Sequence, residues 1–362
     1  YFFGITEQLL LSADQKGYIQ NCIQMLSIAG NTVAGVVLML NGYSIHVVRL
    51  VTSVIFLMRP LLLRIYVNRH YEIDRKITYD REPIGQKWNG IAQHVAAFVL
   101  NGTDNIVLTI FASLTDVSIY SVYNMVILGV KNLFMSLSSG IQSVFGEMLA
   151  KKEIAQLTVF FGKMEWIIHT GVTFVFGCTA ILIVPFINVY TSGITDAVYN
   201  VPIFAIVLTL GNAMHCLRLP YNMMILAGGN YKQTQSNYII AALVNIIISI
   251  VLVKKYGLIG VAVGTLIAMS YQTVWMAYYD SKHLIHYPFK NFLKQMGVDA
   301  LTFAISFCVI GLVKIEARTY LEWGILAIKI SLIWFITTII INMIFYGNNM
   351  RYLAGKIIKK EF

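Results

Sequence analysis

Apolar runs recur along the chain, each closed by a short polar break. Their length, about twenty residues, is what a helix needs to cross a bilayer, and it is too long for barrel strands of about ten. The pattern predicts the tail of one span, Tyr1–Leu11, a polar turn at Ser12–Lys16, and then ten complete spans. These are Tyr18–Leu40, Tyr43–Tyr66, Ile91–Ser113, Val117–Phe145, Leu157–Val189, Val201–Ala227, Ser236–Val253, Leu258–Tyr279, Met296–Leu312 and Trp323–Tyr346. Pro60, Pro185 and Pro220 fall inside three of them, and each removes a backbone donor and so can bend its helix. The longest polar insertion, Val67–Lys87, is mixed in charge and holds Pro83, so it reads as a linker between two bundles.

A weak internal repeat supports that division. Leu9–Gln20 and Met223–Gln235 each end a span, turn through a polar loop with a lysine and enter another span. Downstream, Asn41–Arg49 matches Tyr256–Gly264 in placement, with Gly42 and Gly257 at corresponding points. Both units have the same orientation, which predicts two parallel, pseudo-symmetric halves related by an axis along the membrane normal. The chain begins at Tyr1 inside an apolar stretch, so the reading expects N-terminal spans to be missing, about three and a half of them by that repeat logic.

Composition agrees. Of 362 residues, 57% are hydrophobic and 12% charged, and mean hydropathy is +0.70, which excludes an ordinary soluble domain. The fold class is all-α membrane, a polytopic helical bundle. A net charge of +10 can signal nucleic acid, but here it follows from loop lysines and arginines, and no nucleic-acid partner is read. Most of the 27 fall on one side, from Lys16 and the 64–87 segment to Lys151, Lys232, Lys282 and the Arg351–Lys360 tail. The opposite loops hold Lys254, Lys255, Lys314 and Arg318. The positive-inside rule makes the first side, and the C-terminus, cytoplasmic. Arg351–Phe362 then reads as a basic segment lying on anionic lipid. Cys22, Cys178, Cys216 and Cys308 lie in apolar spans without CxxC spacing and suggest neither disulfide nor zinc.

Several spans carry polar stripes. Asn212, His215, Arg218 and Asn222 share one face, as do Tyr120, Asn124, Lys131, Ser138 and Gln142. Gly257, Gly260 and Gly264 make a small-residue face suited to helix packing. Amides and hydroxyls in such stripes serve as interhelical glue. Charges differ, because one at mid-bilayer costs about 2.5–3.5 kcal/mol on insertion scales and so faces a polar interior. Arg49, Lys131 and Arg218 are such cations, and Arg59 is either a fourth or a helix-end anchor. Asp104 is the one carboxylate clearly buried among them, and it either pairs with a cation, takes part in ion coupling or caps a break after Asn101-Gly102-Thr103. Counting 1.5 Å per residue from the shared turn, Asp104 lies about 14 Å deep and Lys131 about 21 Å, an offset that argues against a direct pair. Three cations against one carboxylate leave a positive cavity that suits an anion such as a phosphate group. No GxxxxGK[ST] loop and no HExxH motif occurs, so neither ATP hydrolysis nor that zinc chemistry is indicated. A membrane enzyme would need acids near the outer face, for which Asp116 and Asp196 are the candidates.

The segments ADQKGYI (Ala13–Ile19), NGTDNIVL with SIYSVYNM (Ser118–Met125), and FGEMLAKKE (Phe145–Glu153) occur in an order that resembles Wzx-type polysaccharide flippases. So do YTSGITDAVY (Tyr190–Tyr199), LRLPYNMMILAGGNYKQT (Leu217–Thr234) and KYGLIGVAVGTLIAM (Lys255–Met269). These are polysaccharide transporters of the multidrug/oligosaccharidyl-lipid/polysaccharide exporter superfamily. The resemblance implies two six-helix bundles around a central cavity plus two C-terminal helices. On this chain it implies the end of the first bundle at 1–66, a cytoplasmic linker at 67–90, the second bundle at 91–280, and two added helices with a basic tail at 281–362. It implies flipping of an undecaprenyl-pyrophosphate-linked oligosaccharide to the outer leaflet of a bacterial cytoplasmic (inner) membrane by alternating access, for O-antigen or capsule export. The two bundles would rock about the linker. A cationic lumen receives the pyrophosphate in the similar lipid II flippase, and that role passes to Arg49, Lys131, Arg218 and Arg59. Asp104, His215, Asn212, Asn124 and Asn222 would line the cavity or couple it. No catalytic residue and no cofactor is implied beyond Na+ or H+ coupling. The implied partners are membrane lipids, the lipid-linked substrate, a polysaccharide polymerase and assembly proteins. Two other readings stay open, a cation-coupled multidrug exporter of the same superfamily and a membrane polysaccharide polymerase or ligase.

Overall fold

A computed structural model describes residues 4–72, 85–285, 287–351 and 355, with the side chains of 87, 138 and 139 left aside. Every regular element among them is an α-helix: α1 (Ile5–Ala13), α2 (Gly17–Leu40), α3 (Ile45–His70), α4 (Lys87–Phe111), α5 (Leu114–Ala150), α6 (Ile154–Tyr190), α7 (Pro202–Leu217), α8 (Leu219–Ala227), α9 (Tyr231–His283), α10 (Phe289–Ile310) and α11 (Tyr320–Phe345). Nine stretches of helix among the described residues are long and apolar enough to cross a bilayer. With no water in the bilayer core, the backbone must bond within its own segment, and a helix does so. The architecture expected from the apolar pattern is present.

Two spans differ in detail from the simple pattern. α9 runs for 53 residues but folds at Gly257, whose φ of 53° and ψ of −130° suit glycine alone. Its two limbs, 231–256 and 258–283, are the two spans expected there. A side chain at Gly260 would strike the Leu252 backbone and one at Gly264 would strike Ser249, so the small-residue face is what lets the limbs close. The Val201–Ala227 span breaks at Arg218, two residues before Pro220, into α7 and α8. Pro220 lacks the N–H that would continue the ladder, so the arginine sits at the junction.

The chain divides into two compact units. Unit 1 is Tyr1–Gly85 with Ser136–Glu147; unit 2 is Gln86–Met135 with Met148–Phe362. In unit 1, Leu11, Leu63 and Val67 form the core beneath α1, α2 and α3. Outside the helices, Lys16 bridges Asp14 at 2.7 Å and donates to the Tyr71 hydroxyl at 3.2 Å, while Tyr71 donates to Asp14 at 2.5 Å. Ser143, from the unit 1 part of α5, donates to the Ser12 carbonyl. Residues 73–84, the centre of the expected linker, lie outside the described residues, as do 352–354 and 356–362 of the basic tail.

In unit 2, α4 and α7 pack along α9, and α6 packs on α7 and α11. The start of α4 is tied to the start of α9: Gln93 donates to the Tyr231 carbonyl and the Thr234 hydroxyl, both at 2.7 Å, and Asn89 to Gln235 at 2.5 Å. α10 and α11 belong to this unit, docked on α6 through Cys178, Ile181, Leu182, Ile310, Ile330 and the fully buried Trp334. All four cysteines are free.

Candidate functional site

Asp104 sits where α4, α5 and α9 meet in unit 2. α4 passes through it without a break, because Asn101 and Thr103 return their side chains to the carbonyls of Ala97 (2.8 Å) and Val99 (2.6 Å). Asp104 therefore caps no interruption. Its carboxylate accepts hydroxyl bonds from Tyr120 at 3.0 Å and Thr265 at 2.9 Å. Asn245 Nδ2 donates to Thr265 Oγ1 at 2.9 Å, which leaves Asn245 Oδ1 buried and without a donor. Asp104, Asn245 and Thr265 thus gather oxygens in one dry place, the donor set a small hard cation prefers.

A few residues away lie the cations. Lys131 and Arg218 are 8% and 6% exposed, and among the described residues neither forms an ion pair with a carboxylate. Lys131 donates to Asn101 Oδ1 at 3.2 Å. Arg218 donates to Gln272 Oε1, meets His215 Nδ1 at 3.4 Å, and lies 6.0 Å from the Tyr238 ring centre. Lys131 and Arg218 are close enough to repel each other, and His215 feels both. Around these cations, three buried nitrogens meet no acceptor among the described residues: Arg218 Nε, Gln272 Nε2 and, in one tautomer, His215 Nε2. Buried donors left unspent around two uncompensated cations make a receptor for an anion.

The other residues expected at the site are placed as follows. Asn212 is buried but spends its amide on the Leu208 carbonyl at 3.0 Å. Asn222 is half-buried and accepts from Tyr238, and Asn124 is half-buried on α5. Arg49 and Arg59 belong to unit 1; Arg49 is exposed and Arg59 is buried. Asp116 caps α5, accepting from the Ser113 hydroxyl at 2.8 Å and donating its amide back at 3.1 Å, and Asp196 accepts from Tyr199 at 3.3 Å.

Asp104 is not the one buried carboxylate, which corrects the charge count read from the sequence. Glu7, Glu165, Asp280 and Asp299 are buried as well, together with His169. Tyr221 donates to Glu165 at 2.6 Å and meets His169 Nε2 at 3.2 Å, and His169 Nδ1 meets Asp299 at 2.7 Å. The signal was legible: each is ionisable and lies inside or at the end of an apolar span, the criterion already applied to Lys131.

These features define a polytopic helical membrane protein whose second unit buries a group of cations beside an acid ringed by oxygens. No family model matches the chain, and no curated protein matches it by sequence. Among solved structures it is similar to "Lipid II flippase MurJ, inward closed conformation", with a TM-score of 0.63 and 17% identity, over 96% of this chain and 72% of that one. At that identity the likeness is one of fold.

Proposed function

We propose that the chain is a flippase that moves an oligosaccharide carried on undecaprenyl pyrophosphate from the cytoplasmic to the outer leaflet by alternating access, for export of a cell-surface polysaccharide such as O-antigen or capsule. The fold it shares with a lipid II flippase supports the class. The observation that carries the substrate chemistry is the pair Lys131 and Arg218, buried without a carboxylate and surrounded by unspent donors. A pyrophosphate spends those donors and balances that charge. Arg49 and Arg59 are the further candidates for this role in unit 1. In the bacterial inner membrane, with the lysine-rich loops and the C-terminus cytoplasmic, moving about two negative charges outward gains roughly 4–5 kcal/mol at 100 mV, from ~2.3 per charge. Asp104, with Asn245 and Thr265, is the residue that couples transport to Na+ or H+. A polysaccharide polymerase and assembly proteins are the partners this reading implies.

The test replaces Lys131 and Arg218 singly with Ala and follows outward movement of the lipid-linked sugar at matched expression. Loss in both supports the reading, and unchanged flipping in both overturns it. A multidrug exporter would need an acidic, aromatic surface for cationic drugs at this pocket, whereas its lining is cationic. A polymerase or ligase would need a free acid near the outer face; of the two candidates, Asp116 is occupied in capping its helix and Asp196 accepts from Tyr199.

A further inference from the structure

The cluster around Glu165 is separate from the pocket at Lys131 and Arg218. Its parts come from four helices: Glu165 and His169 one turn apart on α6, Tyr221 on α8, Asp299 on α10 and Asp280 at the end of α9. Glu165 lines a cavity of about 410 Å³ that also holds Lys163, Lys294 and Tyr346. Asp299 lines a different cavity of about 310 Å³, whose walls are mostly apolar. The chain Glu165–Tyr221–His169–Asp299 therefore joins the two cavities through three close contacts.

Those contacts can be counted in hydrogens. Each is short enough to need one hydrogen between its two heavy atoms, so the three require three. Tyr221 supplies one, and a neutral His169 supplies one. With both acids ionised, one contact would set two lone pairs against each other in a buried site, at the full cost of an unsatisfied polar contact. One additional proton removes the conflict.

Asp280 adds a second, independent reason. It is 1% exposed, and neither of its carboxylate oxygens meets a donor among the described residues. It lines, with Glu165 (2% exposed), an enclosed space of about 10 Å³, the size of one small guest. Two carboxylates that share one dry space do not both stay ionised. Of the other titratable groups facing them, Lys163 and Lys294 share the larger cavity with Glu165, and Tyr238 and Tyr279 sense Asp280; Tyr287 lies beside Glu165, and Tyr346 senses Glu165 and Asp299. Both lie outside the helices, and burial first, then the nearby carboxylates, push their phenols up, so they remain protonated donors.

We propose that Glu165, Tyr221, His169 and Asp299 form a proton-binding relay that holds one proton more than neutral histidine and ionised acids would carry. In one arrangement the proton is on Glu165, which donates to the Tyr221 oxygen, while Tyr221 donates to His169 Nε2 and His169 Nδ1–H to Asp299. In the other, Tyr221 has taken the Glu165 proton as its own passed to Nε2. Glu165 is then a carboxylate, Tyr221 a phenol again, and His169 an imidazolium paired with Asp299. One proton leaves Glu165, one arrives at Nε2, and no bond between heavy atoms changes. Water in the 410 Å³ cavity supplies and receives the proton at Glu165, and the neighbouring carboxylate of Asp280 favours keeping a proton there.

This assignment does not depend on what the chain transports. Infrared difference spectra of the purified chain in liposomes, titrated from about pH 5 to about pH 8 where histidine changes charge, test it directly. In the wild type, a protonated-carboxyl band and the histidine ring bands are expected to change together. Glu165→Gln should remove the carboxyl band, and Tyr221→Phe should split the joint change into two separate titrations. Labelling glutamate with ¹³C in the unsubstituted chain reads the same band by its isotope shift if a variant fails to fold. Absence of both a labelled carboxyl band and a histidinium band across the range overturns the proposal. Flipping measured on the same liposomes is a separate readout, so its loss alone leaves the relay standing.

Discussion

Lys131 donates to Asn101 Oδ1 at 3.2 Å, one turn short of Asp104 on the same helix. The two buried charges are therefore neighbours that do not pair. Asp104 is held by the hydroxyls of Tyr120 and Thr265, and Lys131 by a neutral amide oxygen. A neutral partner orients a cation without cancelling its charge. Lys131 thus stays available to an anion, and Asp104 to a cation, at neighbouring points along α4.

Arg218 should not be replaceable by lysine. Its planar fork reaches Gln272 and His215 at once and leaves Nε free, and a lysine ammonium cannot reproduce that spread. A charged hydrogen bond is worth about 1.5–3 kcal/mol, so Arg218→Lys is expected to lower the initial flipping rate about ten- to a hundredfold at unchanged expression. A rate within twofold of wild type would count against a directional anion contact.

Asp104→Asn keeps the shape of the side chain and removes its charge. Expected is retained folding with loss of any dependence of transport on a Na+ or H+ gradient. Thr265→Ala, which takes away a hydroxyl donor to the carboxylate, should weaken that dependence less. Transport compared with and without each gradient distinguishes these outcomes, and full gradient dependence in Asp104→Asn would remove the residue from coupling.

Gly177 lets α11 dock. A Cβ built there would overlap the ring of Trp334, which is fully buried against α6. Gly177→Ala should lower the melting temperature of the detergent-solubilised protein by the usual cost of overpacking, about 1–3 kcal/mol. Trp334→Phe added to it should recover part of the loss, and additivity in that double-mutant cycle would show that the two do not meet.

The surface triad Asp14, Lys16 and Tyr71 has a defined pH window. The bond from Lys16, and next that from Tyr71, holds the Asp14 carboxyl below its ordinary 3.8, while Asp14 first and Tyr71 second push Lys16 above its ordinary 10.5. Asp14 is depressed, so its contribution is present above 3.8 and is lost as pH falls through its lowered value. Lys16 is raised, so its contribution is complete below 10.5 and is lost as pH rises through its raised value. Asp14 is exposed and Lys16 and Tyr71 are half-buried at the surface, so the effect is small and screened by salt. The protection factor of the Tyr71 amide, whose N–H bonds the Val67 carbonyl, taken relative to the intrinsic exchange rate at each pH, should be flat between those limits and fall at the acid end. Tyr71→Phe should narrow the plateau.

Much of the scaffold was legible because membrane helices must be long, apolar and internally bonded. The break at Arg218 could be read from Pro220, and the α9 hairpin from Gly257 with Gly260 and Gly264. The partners of the charges could not be read. Thr265 lies 161 residues from Asp104 and Gln272 lies 54 from Arg218, and a neutral threonine or glutamine in a span announces nothing about what it will face. Glu165, His169, Asp280 and Asp299 escaped for another reason. The excess of cations masks the acids of the later spans, although the same cost of burial applies to both signs.

The fold at Gly257 bears on how the chain enters a membrane. Only one residue separates the two limbs of α9, and Lys254, Lys255 and Tyr256 crowd its apex. No aqueous tether exists long enough for one limb to settle while the other waits outside. The two limbs therefore bury their apolar surfaces as one closed pair, with the two lysines held at the turn between them. A bulky side chain at Gly260 would thus act first during synthesis, on a hairpin that cannot shut, before it ever affected the finished protein.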